Sequence, residues 1–360
     1  MSSVTVKGTH LLDDTRKKRD EYLNLTTPKA RLITAWDINA FAEKIDEARD
    51  SIVTTGSQTS GMTIASQDGE EVPVKKFNTT WMTQFRVLLH RSLKNSKSKI
   101  LTPINIVKSV CLGFFAGMLW LQMPNTAKYL NDRTSFLFFA TTYWTFDGMF
   151  SALFTFPLER SIIFKERASG SYHISAYFLS KTFSSLPSQL SLPVMFWIIA
   201  YWMANVNENV GTFFAVVCIA LISNLAGESF GLLCGATVLD FQKAMAVMTV
   251  VALSLMAAGG FYIKNIPSFL QWVKYISPFK PSFEAAQILV FSRGVECDGS
   301  DVLSQYCTEG VEYATSEQVL EYLGSEGTVG LHIVTGVLLV LIPRYLAFLA
   351  LKSKKGEERS

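Results

Sequence analysis

Few residues in this chain could do chemistry, and most of those are ionised groups set among apolar ones. Asp147 and Glu228 lie within long apolar runs. An ionisable side chain in such a run is costly and marks either an internal pairing or a functional site. Both readings stay open for these two carboxylates: a strut inside a helix bundle, or part of a polar translocation path. A second set, Glu159, Arg160, Lys165, Glu166 and Arg167, crowds the segment Phe156–Lys181 between two apolar blocks. That many charges cannot lie in lipid, so the segment is expected to be a loop in water. The four histidines, His10, His90, His173 and His332, are scattered and read as structural. No GxxxxGK[ST] phosphate loop, metal-ligand cluster, or Ser/His/Asp or Cys/His set is present, nor an Arg-rich voltage-sensing helix or TVGYG filter. The chain is therefore expected not to be an enzyme by itself, to hold no metal or cofactor, and to bind no nucleic acid.

The elements that must position these groups are apolar blocks. The chain has 360 residues, 49% of them hydrophobic, and a net charge of +3. The apolar residues come in unbroken stretches of about 20, the length that spans a bilayer core. The fold class is thus an all-α membrane protein with six transmembrane helices: Leu101–Leu121, Thr134–Phe156, Thr182–Ala204, Gly211–Leu239, Ala244–Tyr262 and Thr328–Leu351. Alternation places 122–133, 205–210 and 263–327 outside, and 157–181, 240–243 and the tail 352–360 inside. The positive-inside rule agrees, because the outer segment 263–327 has four Lys/Arg against nine Asp/Glu. Both termini are expected in the cytosol, in the plasma membrane. Lys108 and Arg344 sit toward the cytosolic ends of their helices and read as snorkelling.

The remaining segments divide by composition. Residues 1–76 read as a partly ordered cytosolic segment and linker, with a short helix over Ile38–Ser51 and a linker over Thr54–Glu71. The sequons at Asn24 and Asn78 precede the first span and are expected to go unused. Thr79–Ser98 is amphipathic, with Trp81, Phe85, Leu88, Leu89 and Leu93 on one face and Arg86, His90, Lys94 and Lys97 opposite. Between Lys75 and Lys99 there are seven Lys/Arg and no acidic residue, which suits anionic headgroups at the inner interface; a solvated helix is the alternative. Gly259–Phe291 is apolar but broken by Pro267, Pro278 and Pro281, so it reads as short re-entrant helices. Cys297 and Cys307, in the acidic outer segment, favour an intramolecular disulfide, with pairing between subunits as the alternative.

Phe156-Pro157-Leu158-Glu159-Arg160, Phe164-Lys165-Glu166-Arg167, Ser169-Gly170-Ser171-Tyr172 and Tyr177 to Lys181 together resemble the first intracellular loop of the G (white) subfamily of ABC transporters. Leu186-Pro187 with Pro193 resembles the helix that follows. The run Gly231 to Gly235 is similar to its fourth helix, and Gly260-Phe261-Tyr262 through Pro267, Trp272, Tyr275, Phe283 and Glu284 to its re-entrant segment. The likeness runs in order from about Phe77 to Leu351. It implies a connecting helix at 77–98 and an ABC-2 type membrane domain at 99–351.

By resemblance, Thr142, Tyr143, Phe146, Leu253 and Met256 face a substrate cavity, Phe261 and Tyr262 form an apolar gate, and Glu159, Arg160, Lys165, Glu166 and Arg167 couple to an ATPase. Half-size members of that family carry an ATP-binding domain ahead of the membrane domain. Here that domain, with its ATP and Mg, is expected on a separate chain or a longer product. The partners implied are a second transmembrane half, a nucleotide-binding domain and membrane lipids. The function implied is ATP-driven export of lipids, sterols or other amphipathic compounds. Two rivals remain: a motor-less regulatory partner of full-length transporters, and an ion-coupled secondary transporter using Asp147 and Glu228.

Overall fold

Helix α1 (Trp81–Ile100) is followed by α2 (Pro103–Leu119), α3 (Leu130–Leu153), α4 (Thr155–Ala168), α5 (Ile174–Ala204), α6 (Val210–Thr237) and α7 (Phe241–Ala257). Short α8 (Gln271–Ile276), α9 (Phe279–Val290), a small hairpin of β1 (Val295–Glu296) with β2 (Tyr313–Ala314), α10 (Ser316–Leu323) and α11 (Val329–Ser353) complete the order. This computed structural model describes residues 79–100, 102–168, 172–238, 240–263, 267–300, 302–307 and 311–353, without the side chains of 95–100, 158, 160–162, 164 and 167–168. The expectations for residues 1–76, with the Ile38–Ser51 helix and both sequons, lie outside the described residues.

Three helices, α5, α6 and α11, are long and apolar enough to cross a membrane by length and composition. Helices α2 and α7 are apolar but shorter, at 17 residues each. Helix α3 has the length, 24 residues, but carries Asp132, Arg133 and Asp147.

Helix α6 is the centre, packed chiefly against α3 and α11, with α9 closing a further side. Between lipid-immersed helices apolar burial supplies little drive, so close backbone approach and polar bonds must hold them together. Gly227, Gly231 and Gly235 line α6 at every fourth residue. A Cβ at each would collide with the carbonyl oxygens of Thr145, Met149 and Leu153 on α3. One turn away, the hydroxyls of Thr145 and Ser223 share a 2.7 Å hydrogen bond. Helix α5 contains Pro187 and Pro193. Pro193 has no N–H for the carbonyl of Gln189, four residues earlier. Asn224 of α6 supplies the missing donor, its Nδ2 standing 2.6 Å from Gln189 O.

Three expectations are corrected. The segment Phe156–Lys181 is mostly helical rather than a loop, because α4 runs to Ala168 and α5 begins at Ile174, two turns before Thr182. Two of its charges, Glu159 and Glu166, are held by partners, Lys181 and Arg91. Lys108 does not snorkel; its Nζ bonds Asp147 Oδ1 on α3 at 2.6 Å. Arg344 likewise turns inward, to Glu228. On α1 the expected faces are kept: Leu88 is buried and Phe85, Leu89 and Leu93 are half-buried, with Gln84 and Ser92 buried beside them, while Arg86, His90 and Lys94 are exposed.

Outside the bundle, Cys297 and Cys307 are joined in a disulfide. Pro267 leads a single 3-10 turn, Ser268–Leu270, and Pro278 caps α9 with Pro281 in its first turn, where proline costs no helical bond. Phe269, Trp272 and Tyr275 project from this segment, exposed, while α9 is buried along most of its length.

Candidate functional site

Helix α3 presents Ser135, Phe138, Phe139, Thr142 and Tyr143 along one face, at the helical repeat of three and four. The chain after α7 turns back at Gly260, whose φ of +91° suits only glycine, and lays Phe261 and Tyr262 against that face. With Met256 they enclose an open cavity of about 460 Å³. Phe261 stacks on Phe138 at 4.3 Å between ring centroids, and Tyr262 meets the same ring edge-on at 5.4 Å. Phe139 and Tyr143 form a second aromatic step at 6.4 Å. The lining is aromatic and apolar with a few hydroxyls, which suits a flat hydrophobic ligand.

Of the residues singled out in the sequence, the cavity brings together Thr142, Tyr143, Met256, Phe261 and Tyr262. Phe146 does not line it; its ring packs against Phe150 and Phe279. Leu253 is 49% exposed on α7, away from the cavity wall.

Asp147 and Glu228 hold separate partners. Asp147 takes Lys108 from α2. Glu228, at 1% exposure, accepts from the Arg344 guanidinium and from the Ser185 hydroxyl, while Arg344 Nε donates to Ser229 Oγ at 2.9 Å.

The charged segment forms a third cluster with α1. Glu159 accepts from Tyr177 at 2.6 Å and from Lys181. Glu166 accepts from Tyr172 at 2.5 Å and from Arg91 of α1 at 3.0 Å. Burial opposes the charge on Glu166, but the bonds from Arg91 and Tyr172 outweigh it and hold the carboxyl below the ordinary glutamate range. Burial and the same carboxylate push the Tyr172 hydroxyl well above the usual tyrosine value. Two further bonds tie α1 to the start of α5: Trp81 Nε1 to Ser175 Oγ at 3.0 Å, and the His173 N–H to Gln84 Oε1 at 2.9 Å. Lys165 is exposed. The side chains of Arg160 and Arg167 lie outside the described residues.

Sequence reasoning missed two sites. Arg133, at 4% exposure, donates to the carbonyls of Met123, Asn205 and Val206 and to Asn125 Oδ1, at 2.8 to 3.1 Å. It thereby satisfies carbonyls left open where α5 ends, at the negative pole of that helix. The only signal was an arginine directly beside an apolar block. The other is a buried group on α9 and α11, where Glu284 meets Lys280 at 3.1 Å and His332 at 3.7 Å.

Comparison with known proteins bears on the family of the chain. A family profile described as "ABC-2 type transporter" matches residues 83–291. ABC transporter G family member 21 of Arabidopsis thaliana is 33% identical over 282 residues, 77% of this chain and 40% of the relative. Family member 25 from the same plant is 32% identical, covering 77% of this chain and 42% of its own length. Protein white of Drosophila melanogaster is 26% identical, covering 77% and 40%. The chain thus spans about two-fifths of the length of these curated relatives.

Proposed function

Because the chain belongs to the ABC-2 type transporter family, and is therefore an integral membrane protein, we propose that it is the membrane-spanning half of an ATP-driven exporter of lipids, sterols or other amphipathic compounds. The observation that carries this reading is the aromatic cavity between α3 and the turn after α7. In it, Phe139, Tyr143 and Phe261 grip a flat apolar body, and Phe261 with Tyr262 close it from one end.

Six helices, α2, α3, α5, α6, α7 and α11, cross the bilayer, with both chain ends in the cytosol and the plasma membrane as the site. Helices α8 and α9 dip back from the outer face. A second transmembrane half completes the cavity, and a nucleotide-binding domain, on this product or another chain, holds ATP and Mg. Closure of the motor pushes on α4, and the bonds from Glu159 and Glu166 to α5 and α1 pass that movement to the bundle. The two positions of the bundle then face inward and outward in turn, one bistable element biased by ligand energy.

The test is a pull-down followed by an ATPase assay. The chain is expected to co-purify with an ATP-binding domain whose hydrolysis a hydrophobic amphiphile stimulates. Tyr143→Ala is expected to abolish the stimulation while basal hydrolysis survives. An ATPase that neither binds the chain nor responds to amphiphiles would overturn the proposal.

A further inference from the structure

The ion pairs Glu228–Arg344 and Asp147–Lys108 each join two helices of the bundle, and they differ in exposure. The Glu228 and Arg344 side chains are 2% and 15% exposed. Those of Asp147 and Lys108 are 26% and 41% exposed, although their bond, at 2.6 Å, is short. A charged pair open to acyl chains is expensive, so this one must face water or protein. Tyr143 stands one turn before Asp147 on α3, interacts with Lys108, and lines the cavity. The pair is not itself among the residues that line the cavity but adjoins it, one turn along α3 from Tyr143.

Its hydrogen bonding is incomplete in a specific way. Asp147 uses Oδ1 for Lys108, and its Oδ2 has no partner among the described residues. The ammonium has three donors, of which Asp147 takes one and the Tyr143 hydroxyl can take another, leaving one. The pair thus offers a free acceptor and a free donor side by side. A hydroxyl, which donates and accepts at once, satisfies both without splitting the pair. A carboxylate has no proton for Oδ2 and is repelled by it. An ammonium is repelled by Lys108, and a methyl group would desolvate both charges with no return.

We infer that Lys108 and Asp147 are specificity-determining residues that select a neutral amphiphile, its flat apolar body on Phe139, Tyr143 and Phe261 and a hydroxyl end on the pair. This inference rests on the cavity being the substrate site.

Three fluorescent probes with one aromatic body and different ends test it: pyrenebutanol, pyrenebutyrate and butylpyrene. Each is titrated into the purified chain in phosphatidylcholine nanodiscs, with empty nanodiscs as the blank. Pyrenebutanol is expected to bind about tenfold more tightly than the other two, one charge-assisted hydrogen-bond site's worth of discrimination. The double variant Lys108→Met with Asp147→Leu is expected to bind all three within about twofold of one another. The charge-swapped variant, Lys108→Asp with Asp147→Lys, keeps a donor beside an acceptor and is expected to retain the hydroxyl preference. If the apolar double variant does not fold, the wild-type ranking and the swap decide. Equal binding of all three probes by the wild-type chain overturns this inference and leaves the cavity standing. A hydroxyl preference that survives the apolar double variant also overturns it, since a mere strut between helices would not set ligand choice. No binding of any probe overturns the cavity reading and this inference with it.

Discussion

Arg344 on α11 turns into the bundle to bond Glu228 on α6, and its Nε reaches the neighbouring Ser229 Oγ at 2.9 Å. The two helices are thereby joined by a charge pair whose carboxylate is almost wholly out of contact with solvent. Removing one member of a buried pair leaves an uncompensated charge and costs about 3–5 kcal/mol, whereas replacing both with apolar residues costs much less. Arg344→Met is therefore expected to lower the unfolding midpoint sharply. The double variant with Glu228→Leu is expected to recover most of that loss. Thermal unfolding in detergent, run on both variants, measures the coupling; a double variant as unstable as the sum of the singles would contradict it.

The α6 glycine stripe makes a second, steric prediction. Gly231→Ala places a Cβ against the Met149 carbonyl on α3, where backbone cannot yield as a flexible side chain would. The expected cost is at least about 2 kcal/mol. Gly330→Ala, at a position with open space around it, serves as the control and is expected to be neutral or mildly stabilising. Comparison of the two midpoints decides; equal effects would mean that α3 and α6 are not in close contact.

Glu166 carries a pH dependence with a definite sign. Its folded carboxyl titrates below the ordinary glutamate value because Arg91 and Tyr172 bond its charged form in spite of burial. The bracing of α4 on α1 is then fully present above about pH 4.3, the unfolded value, and fades as pH falls through the lower folded value. Glu166→Gln is expected to be less stable than the wild type at neutral pH and to converge with it in acid. Unfolding midpoints of the two proteins across that range give the test, and a gap that widens on acidification would reverse the sign.

The Cys297–Cys307 disulfide closes a loop of ten residues' separation next to the small hairpin. Chain-entropy reasoning assigns such a loop about 2–3 kcal/mol. Reduction, or Cys297→Ser with Cys307→Ser, is expected to speed amide exchange at Val295, Glu296, Tyr313 and Ala314 while leaving α6 unchanged. Mass-detected hydrogen exchange reads both regions at once.

How much of this was legible in the sequence follows from what each feature depends on. The helices that carry the cavity announce themselves as apolar blocks, and an apolar block is a property of neighbours in the chain. Tyr143 and Phe261 could be placed in one cavity only through resemblance, because the turn at Gly260, and not any spacing, brings them to the same wall. Lys108 and Arg344 were misread for the same reason. Their position near a helix end is visible in the sequence, but the carboxylates that draw them inward are on other helices. Phe156–Lys181 looked like a loop because its charges exclude lipid, and charge excludes lipid equally well from a helix with its partners in place. Arg133 was missed because an arginine beside an apolar block reads as a boundary, whereas its acceptors are carbonyls that carry no side-chain signature.

The central claim is that ATP, and not an ion gradient, drives an amphiphile through the cavity. Uptake into inside-out vesicles containing the chain together with its ATP-binding domain tests this most directly. With pyrenebutanol as the probe, uptake is expected to require ATP, to persist when the proton gradient is collapsed, and to fall at least about tenfold in Tyr143→Ala through loss of the aromatic grip. Uptake that ignores ATP depletion and stops with the proton gradient would contradict the account.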